Sequence, residues 1–241
     1  MFISIQQPEY FPWLGFFDKA RQVDHVVFLD NVQFKKRYFE NRNRIRTATG
    51  WSWIRTPVRV KGRFGQNICD VEIDDSQPWR RKLVTAIRQN YSKAPYWHPH
   101  GEPLCALVED GVDERLADFN LAIIRFLLDA FELTPEITIA SSLGIRSRGA
   151  DQILDICESM DADGYLSGRD GRNYLDEDAF EEAGIALRYQ DFEHPAYTQY
   201  QGGGFVPQLS AIDLLFNMGP TSTEILGCAR NLYNGSRRRV A

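Results

Sequence analysis

The chain reads as an α/β protein: a Rossmann-like parallel sheet covered by helices, ending in an irregular loop and a helical tail. Three observations predict this. Two short apolar runs, Phe2–Ile5 and His25–Leu29, each end in polar side chains and flank one helix-length segment, the pattern of a βαβ unit. A second rhythm of short apolar runs alternating with amphipathic stretches occupies residues 137–189, as a parallel sheet requires. The 43% apolar content of the 241 residues is enough for one substantial core, so a single domain over 1–241 is expected.

The elements follow in order. Phe2-Ile3-Ser4-Ile5 is a buried strand, stopped by Gln6-Gln7-Pro8 because proline has no N–H to give the ladder. An aromatic loop, Pro8 to Gly15, leads into a helix over 16–23, and His25–Leu29 is the second strand, closed by Asp30-Asn31. Trp51–Val60 alternates large apolar with polar residues, the period of a half-exposed strand. Residues 68–73 read as a shorter strand, and Asp74-Asp75-Ser76 as the cap of a helix with Pro78 in its first position. That helix runs over 79–91. Residues 95–103 read as a loop broken by prolines, and 113–133 as a long, deeply buried helix. Strands at 137–140, 164–166 and 185–189 alternate with helices at 148–160 and 176–183. Residues 191–204 form an irregular loop with three successive glycines. Ser210 opens a helix, Gly219-Pro220 stops it, and Ser222 caps a last helix reaching Leu232; Ser236–Arg239 reads as a frayed end.

Charge narrows the function. The formal net charge is −5, so no global field favours nucleic acid or a membrane. Residues 33–64 nevertheless hold ten cations against Glu40 alone, a local +9 that leaves −14 for the remainder. Such a window suits a small anionic ligand. The four cysteines are at least 36 residues apart and form no Cys-x-x-Cys pair. The start lacks a basic signal-peptide region, and no apolar run approaches a bilayer span, so a cytoplasmic setting without a membrane span is expected.

The known phosphate and nucleophile motifs are missing, including Gly-x-Gly-x-x-Gly, the Walker loop and Gly-x-Ser-x-Gly. No metal site is expected, since His98-Pro99-His100 lacks a third ligand nearby. The candidate acid/base groups are Asp30, at a strand end, and His194, in the irregular loop beside Asp191 and Glu193. Lys35, Lys36, Arg42 and Arg44 are candidates for an anionic or phosphate group. Amides and hydroxyls at strand ends and in loops are candidates for a polar substrate: Gln6, Gln7, Tyr10, Asn31, Gln33, Asn41, Asn43, Ser142, Ser167 and Gln199. If Asn41–Arg44 is a strand, Asn41 and Asn43 share one face and the two arginines the other.

The runs Gln6-Gln7-Pro8-Glu9-Tyr10-Phe11-Pro12-Trp13-Leu14-Gly15-Phe16-Phe17, Phe28-Leu29-Asp30-Asn31-Val32-Gln33-Phe34-Lys35-Lys36-Arg37 and Asn41-Arg42-Asn43-Arg44-Ile45 resemble the WbqC-like family. Further matches are Tyr91–Tyr96, Tyr165–Gly168, Tyr197-x-Gln199 and Ser210-x-x-Asp213-Leu214-Leu215-Phe216-Asn217-x-Gly219, so the resemblance spans nearly the whole chain. Glu9 departs from the pattern, where an aromatic or small residue is expected. The resemblance implies a cytoplasmic tailoring protein of bacterial surface-polysaccharide biosynthesis. Acyl or aminoacyl transfer to a nucleotide-linked amino sugar is the expected reaction, with no cofactor or oligomeric state implied. The partner is then a small anionic substrate, a nucleotide-sugar, rather than nucleic acid. Two rivals stand beside it. One is a nucleotide-binding protein of nucleotidyltransferase-like fold, although Trp13-Leu14-Gly15-Phe16 lacks both histidines of His-x-Gly-His. The other is a non-catalytic binder of glycan intermediates or a scaffold.

Overall fold

A computed structural model describes residues 1–228, without the side chain of Cys228. The expected positions Leu232 and Ser236–Arg239 lie outside the described residues. The elements in chain order are β1 (Phe2–Gln6), α1 (Leu14–Arg21), β2 (His25–Phe28), β3 (Arg42–Thr47), β4 (Gly50–Arg55), α2 (Trp79–Tyr91), α3 (Glu102–Asp110) and α4 (Leu116–Ala130). They continue with β5 (Glu136–Ile139), α5 (Ala150–Ser159), β6 (Gly164–Ser167), α6 (Glu177–Glu182), β7 (Ala186–Tyr189), α7 (Ile212–Met218) and α8 (Ser222–Cys228).

Five strands form a parallel sheet in the order β5-β2-β1-β6-β7. The chain moves outward from β1 through β2 to β5, then returns to β6 on the other side of β1. The order therefore reverses between β1 and β6. In open α/β sheets, the crevice beyond the strand C-termini at that reversal is where ligands bind.

Alternation along β1 sorts its side chains. Ile3 and Ile5 join the core under α5 and α6, with Ile153, Ile156, Tyr165 and Phe180. Ser4 and Gln6 project to the opposite face, the side of α1. The larger core on that side combines Phe16, Phe17, Val26 and Phe28 with α2, α3, α4, α7 and α8. β3 and β4 lie outside the main sheet as an antiparallel hairpin joined by Ala48-Thr49. Asn43 and Ile45 face the core, while Arg42 and Arg44 share the outer face, as the strand alternative predicts.

Four local expectations are corrected. Residues 68–73 are not a strand: Ile68–Asp70 is a single 3-10 turn, followed by isolated bridges Glu72↔Arg115 and Val58↔Ile73. β4 ends at Arg55 rather than Val60, before Pro57. Pro78 is the N-cap of α2, and no side chain caps that helix. The proline-broken loop also ends sooner than expected. Pro103 sits in the first turn of α3, where its missing N–H breaks no helical bond.

Candidate functional site

A cavity of about 500 Å³ opens at the reversal point, within the usual volume range of small-molecule sites. Its walls come from the end of β1 (Ile5, Gln6), the aromatic loop (Glu9, Trp13), α1 (Gly15, Phe16, Lys19), the turn after β6 (Gly168 to Gly171) and the irregular loop (Gln190, Phe192, His194, Gln208). β1 and its loop must deliver Gln6 and Glu9 here, because Gln6 ends the central strand on the α1 face.

Gln6 is buried, and neither its amide nitrogen nor its amide oxygen has a partner. Buried polar groups are nearly always paired, so an unsatisfied amide at the end of the central strand is an exception within this fold. Gly15 is required structurally: a Cβ there would collide with the Trp13 indole. Trp13 in turn packs edge-on against Phe192 at 5.3 Å, which ties the aromatic loop to the irregular loop across the cavity. Gln190 holds the same corner, donating to Gly15 O at 2.8 Å and to Asp18 Oδ2 at 2.7 Å.

The cavity carries a coupled pair of titrating groups. Burial pushes the Glu9 carboxyl up to about 7, with Lys19 opposing and Glu40 adding to the rise. Burial brings the Lys19 ammonium down to about 8, against the pull of Glu9 and Asp18. Perturbed titrating groups of this kind concentrate in functional clefts, and buried structural pairs show them too. His194 is the third such group. Its Nδ1 lies 2.9 Å from Pro195 O, and a carbonyl only accepts, so Nδ1 carries the proton. Nε2 is then the lone-pair nitrogen; it is buried and without a partner. Burial lowers the His194 pKa, and the hydrogen bond to the Pro195 carbonyl opposes that shift.

Gln6 and His194 are thus brought together on the cavity wall; the other sequence-predicted residues lie elsewhere. Asp30 is buried and accepts from Ser141 N at 2.8 Å and Ser141 Oγ at 2.7 Å, tying β2 to the end of β5. Asn31 accepts from Gln152 at 2.9 Å, and Ser142 Oγ donates to Ile139 O at 2.7 Å. Asn41 donates to Thr56 O, and Asn43 to Phe11 O at 2.8 Å, supporting the aromatic loop from behind. Tyr10 is fully buried against Phe11. Gln199 donates to Asp213 Oδ2 at 2.7 Å and accepts from Val206 N at 2.9 Å, bracing the irregular loop. Ser167 is buried beneath Gly171, where an added Cβ would strike its hydroxyl. Gln7 is half-buried off the cavity wall, and Gln33, Lys35 and Lys36 are exposed. Arg42 and Arg44 lie over tryptophan rings, although Arg44 also donates to the backbone of Gln208 at 3.0 Å.

Glu9, Lys19 and Gln190 were not among the residues expected from sequence. Glu9 had a visible signal, a lone carboxylate between Pro8 and Tyr10 in an otherwise aromatic loop. Lys19 had none, since an amphipathic helix ordinarily carries lysines.

No solved structure matches the chain. The "Uncharacterized protein Rv1507c" of Mycobacterium tuberculosis is 31% identical over 230 residues, covering 95% of this chain and 98% of that protein. The profile of the WbqC-like protein family matches residues 7–225, which include Glu9, Lys19, Gln190 and His194, and the chain belongs to that family.

Proposed function

We propose that the cavity at the β1/β6 reversal binds a nucleotide-linked amino sugar and that the protein transfers an acyl or aminoacyl group to its amine, in a cytoplasmic setting. The observation that carries this is the unpartnered Gln6 amide beside Glu9 and Lys19. An amide offers donor and acceptor together, which suits vicinal hydroxyl or acetamido groups of a sugar. Trp13 and Phe192 supply ring surfaces for a sugar's apolar side. Lys19 and Arg169 stand on the wall for the anionic part, and Arg172 lines a neighbouring cavity of about 400 Å³ that shares Arg169 and Gln190.

In this reading Glu9 takes the proton from the substrate amine as its nitrogen attacks the acyl carbonyl. The carbonyl oxygen gains charge, which Lys19 offsets; the adduct then collapses, the acyl–sulfur bond of a thioester donor breaks, and the departing thiolate takes the proton held by Glu9. His194 Nε2 accepts a hydrogen bond from the sugar and positions it. Asp30 and the 33–64 cations have no role in this mechanism, because none of them lines the cavity; Arg44 alone reaches its rim, through Gln208.

The test is thermal stabilisation by a panel of nucleotide-amino sugars, acyl-CoA and ATP. A ligand at a hundred times its dissociation constant adds about 2.7 kcal/mol. A nucleotide-amino sugar is expected to shift the transition, and Gln6→Leu to remove that shift while keeping the far-UV spectrum. Glu9→Gln is expected to keep the shift and lose transfer. A shift with ATP alone overturns the transferase reading in favour of a nucleotide-binding protein, the alternative that the strand order favours.

A further inference from the structure

The 33–64 segment carries a continuous strip of rings and cations that the cavity does not use. Seven large apolar side chains are exposed among the described residues, and four lie here: Tyr38 (49%), Trp51 (45%), Trp53 (39%) and Phe64 (96%). The rings form a chain. Tyr38 meets Phe39 at 5.3 Å, Phe39 meets Trp53 at 6.4 Å, and Trp53 meets Trp51 at 5.6 Å. The hairpin register sets Arg44 opposite Trp53 and Arg42 opposite Arg55, so indoles and guanidiniums share the outer face. The Arg42 guanidinium lies 4.2 Å from the Trp53 ring, and that of Arg44 lies 5.2 Å from Trp51.

The strip continues past the hairpin. Gln33 bridges Asn67, and Phe34 N donates to Gln66 O, so the loops 35–38 and 61–65 leave from one point. They add Lys35, Lys36, Arg37, Lys61 and the bare Phe64 ring. Within the segment, the ion pairs among the described residues are those of Arg59 and Arg63 with Glu72. Lys36, Arg37, Arg42, Arg44, Arg55 and Lys61 are left without a carboxylate.

We propose that this strip docks the protein on an anionic lipid bilayer. A guanidinium stacked on an indole can still turn terminal N–H groups toward phosphate oxygens; the Arg42 guanidinium has no hydrogen-bond partner among the described residues, whereas Arg44 gives Nη2 to Gln208. Tryptophan and tyrosine favour the headgroup level, where an amphipathic ring has both apolar and polar neighbours. Phe64, between Arg63 and a glycine at a loop tip, is placed to enter the acyl boundary. The −14 carried by the rest of the chain is repelled by the same surface, which orients the molecule strip-down. Guanidiniums already occupy indole faces that single-stranded RNA would need for base stacking, which favours lipid over RNA.

The experiment is co-sedimentation of the full chain with phosphatidylcholine vesicles, with and without one-third phosphatidylglycerol. Tryptophan emission is followed in parallel. Binding is expected only to the anionic vesicles, with a blue shift, and is lost in half-molar salt, where screening is within a few ångströms. The double variant Lys36→Glu/Arg37→Glu is expected to weaken binding by at least about tenfold. Phe64→Ser is expected to weaken it without changing its salt dependence. All three side chains are exposed, and an unchanged melting temperature checks that each variant folds. Absence of binding to anionic vesicles overturns the proposal, as does equal binding to neutral ones. So do a dimer that quenches access to Trp51 and Trp53, and tighter binding to a single-stranded RNA oligomer than to vesicles.

Discussion

A carboxylate set among Pro8, Tyr10 and Phe11 has little water to face, and Glu9 shows the effect in its raised pKa. The sign of the resulting pH dependence follows from which state holds the proton. Between the ordinary 4.5 and about 7, folded Glu9 keeps a proton that the unfolded chain has lost. Its contribution to stability is therefore present below that window and is lost as pH rises through it. Lys19 acts in the other direction. Its folded pKa of about 8 lies below 10.5, so its contribution improves stability as pH rises between those values. Urea midpoints measured from pH 4 to 11 are expected to fall less steeply between pH 5 and 7 in Glu9→Gln than in the parent. Identical slopes would show that Glu9 titrates as an ordinary exposed carboxyl. Asp30 accepts two hydrogen bonds from Ser141, one from its backbone N–H and one from its hydroxyl. Ser141→Ala removes one of them, and is expected to cost about 1.5 kcal/mol with no change in ligand-induced stabilisation. A lost ligand shift in that variant would instead return Asp30 to the site.

The loop after β7 is built as an element although it has no regular structure. Asp213, in the first turn of α7, is buried and accepts from Tyr91 and Tyr197 hydroxyls at 2.8 Å each and from Gln199 at 2.7 Å. Arg46 ties the glycine run from the other side, donating to Gly202 O and Gly204 O. This network sets the path that brings Phe192 and His194 to the cavity. Tyr197→Phe removes one donor to a buried carboxylate and is expected to cost about 2 kcal/mol. Because the loop is then held less firmly, proteolysis within 196–206 is expected to quicken more than global unfolding does. Equal changes in both rates would mean that the loop opens only with the whole fold. Much of this loop's placement was hidden in the sequence. Tyr197, Gln199 and Asp213 sit near each other in the chain, but their partners Tyr91 and Arg46 are more than a hundred residues from Asp213. The parallel strands were legible, because each is a brief apolar run bounded by glycine, proline or charge. Helix α3 was not, since Pro103 signals a break when it in fact begins the helix. Residues 68–73 were expected as a shorter strand, but Ile68 and Val71 bury against Leu116 from a 3-10 turn instead.

At the scale of the whole molecule, two unlike surfaces belong to separate parts of one fold. The cavity is made by the reversal of the parallel sheet, with walls at residues 5–19, 165–174 and 190–194 together with Gln208. The ring-and-cation strip is made by a hairpin and two loops inserted after β2, outside that sheet. Sequence alone merged them, because the cationic segment follows the first βαβ unit directly and a positive field near strand ends reads as a phosphate site. The folded chain separates them: the hairpin's core-facing Asn43 and Ile45 anchor it to the aromatic loop and α2, while Arg42 and Arg44 lie against the tryptophans of the outer face and Arg46 is buried under the glycine run. The link between the two surfaces runs through Arg44, which reaches Gln208 on the cavity rim. Amide hydrogen exchange is expected to resolve the two. A nucleotide-amino sugar should slow exchange at the end of β1, in the turn after β6 and around residue 194, and leave residues 50–65 unchanged. Anionic vesicles should give the reverse pattern, protecting loops 35–38 and 61–65. Protection of residues 50–65 by the nucleotide-sugar would mean that the cationic segment contributes to the substrate site after all, and that the cavity at the sheet reversal is at most part of it.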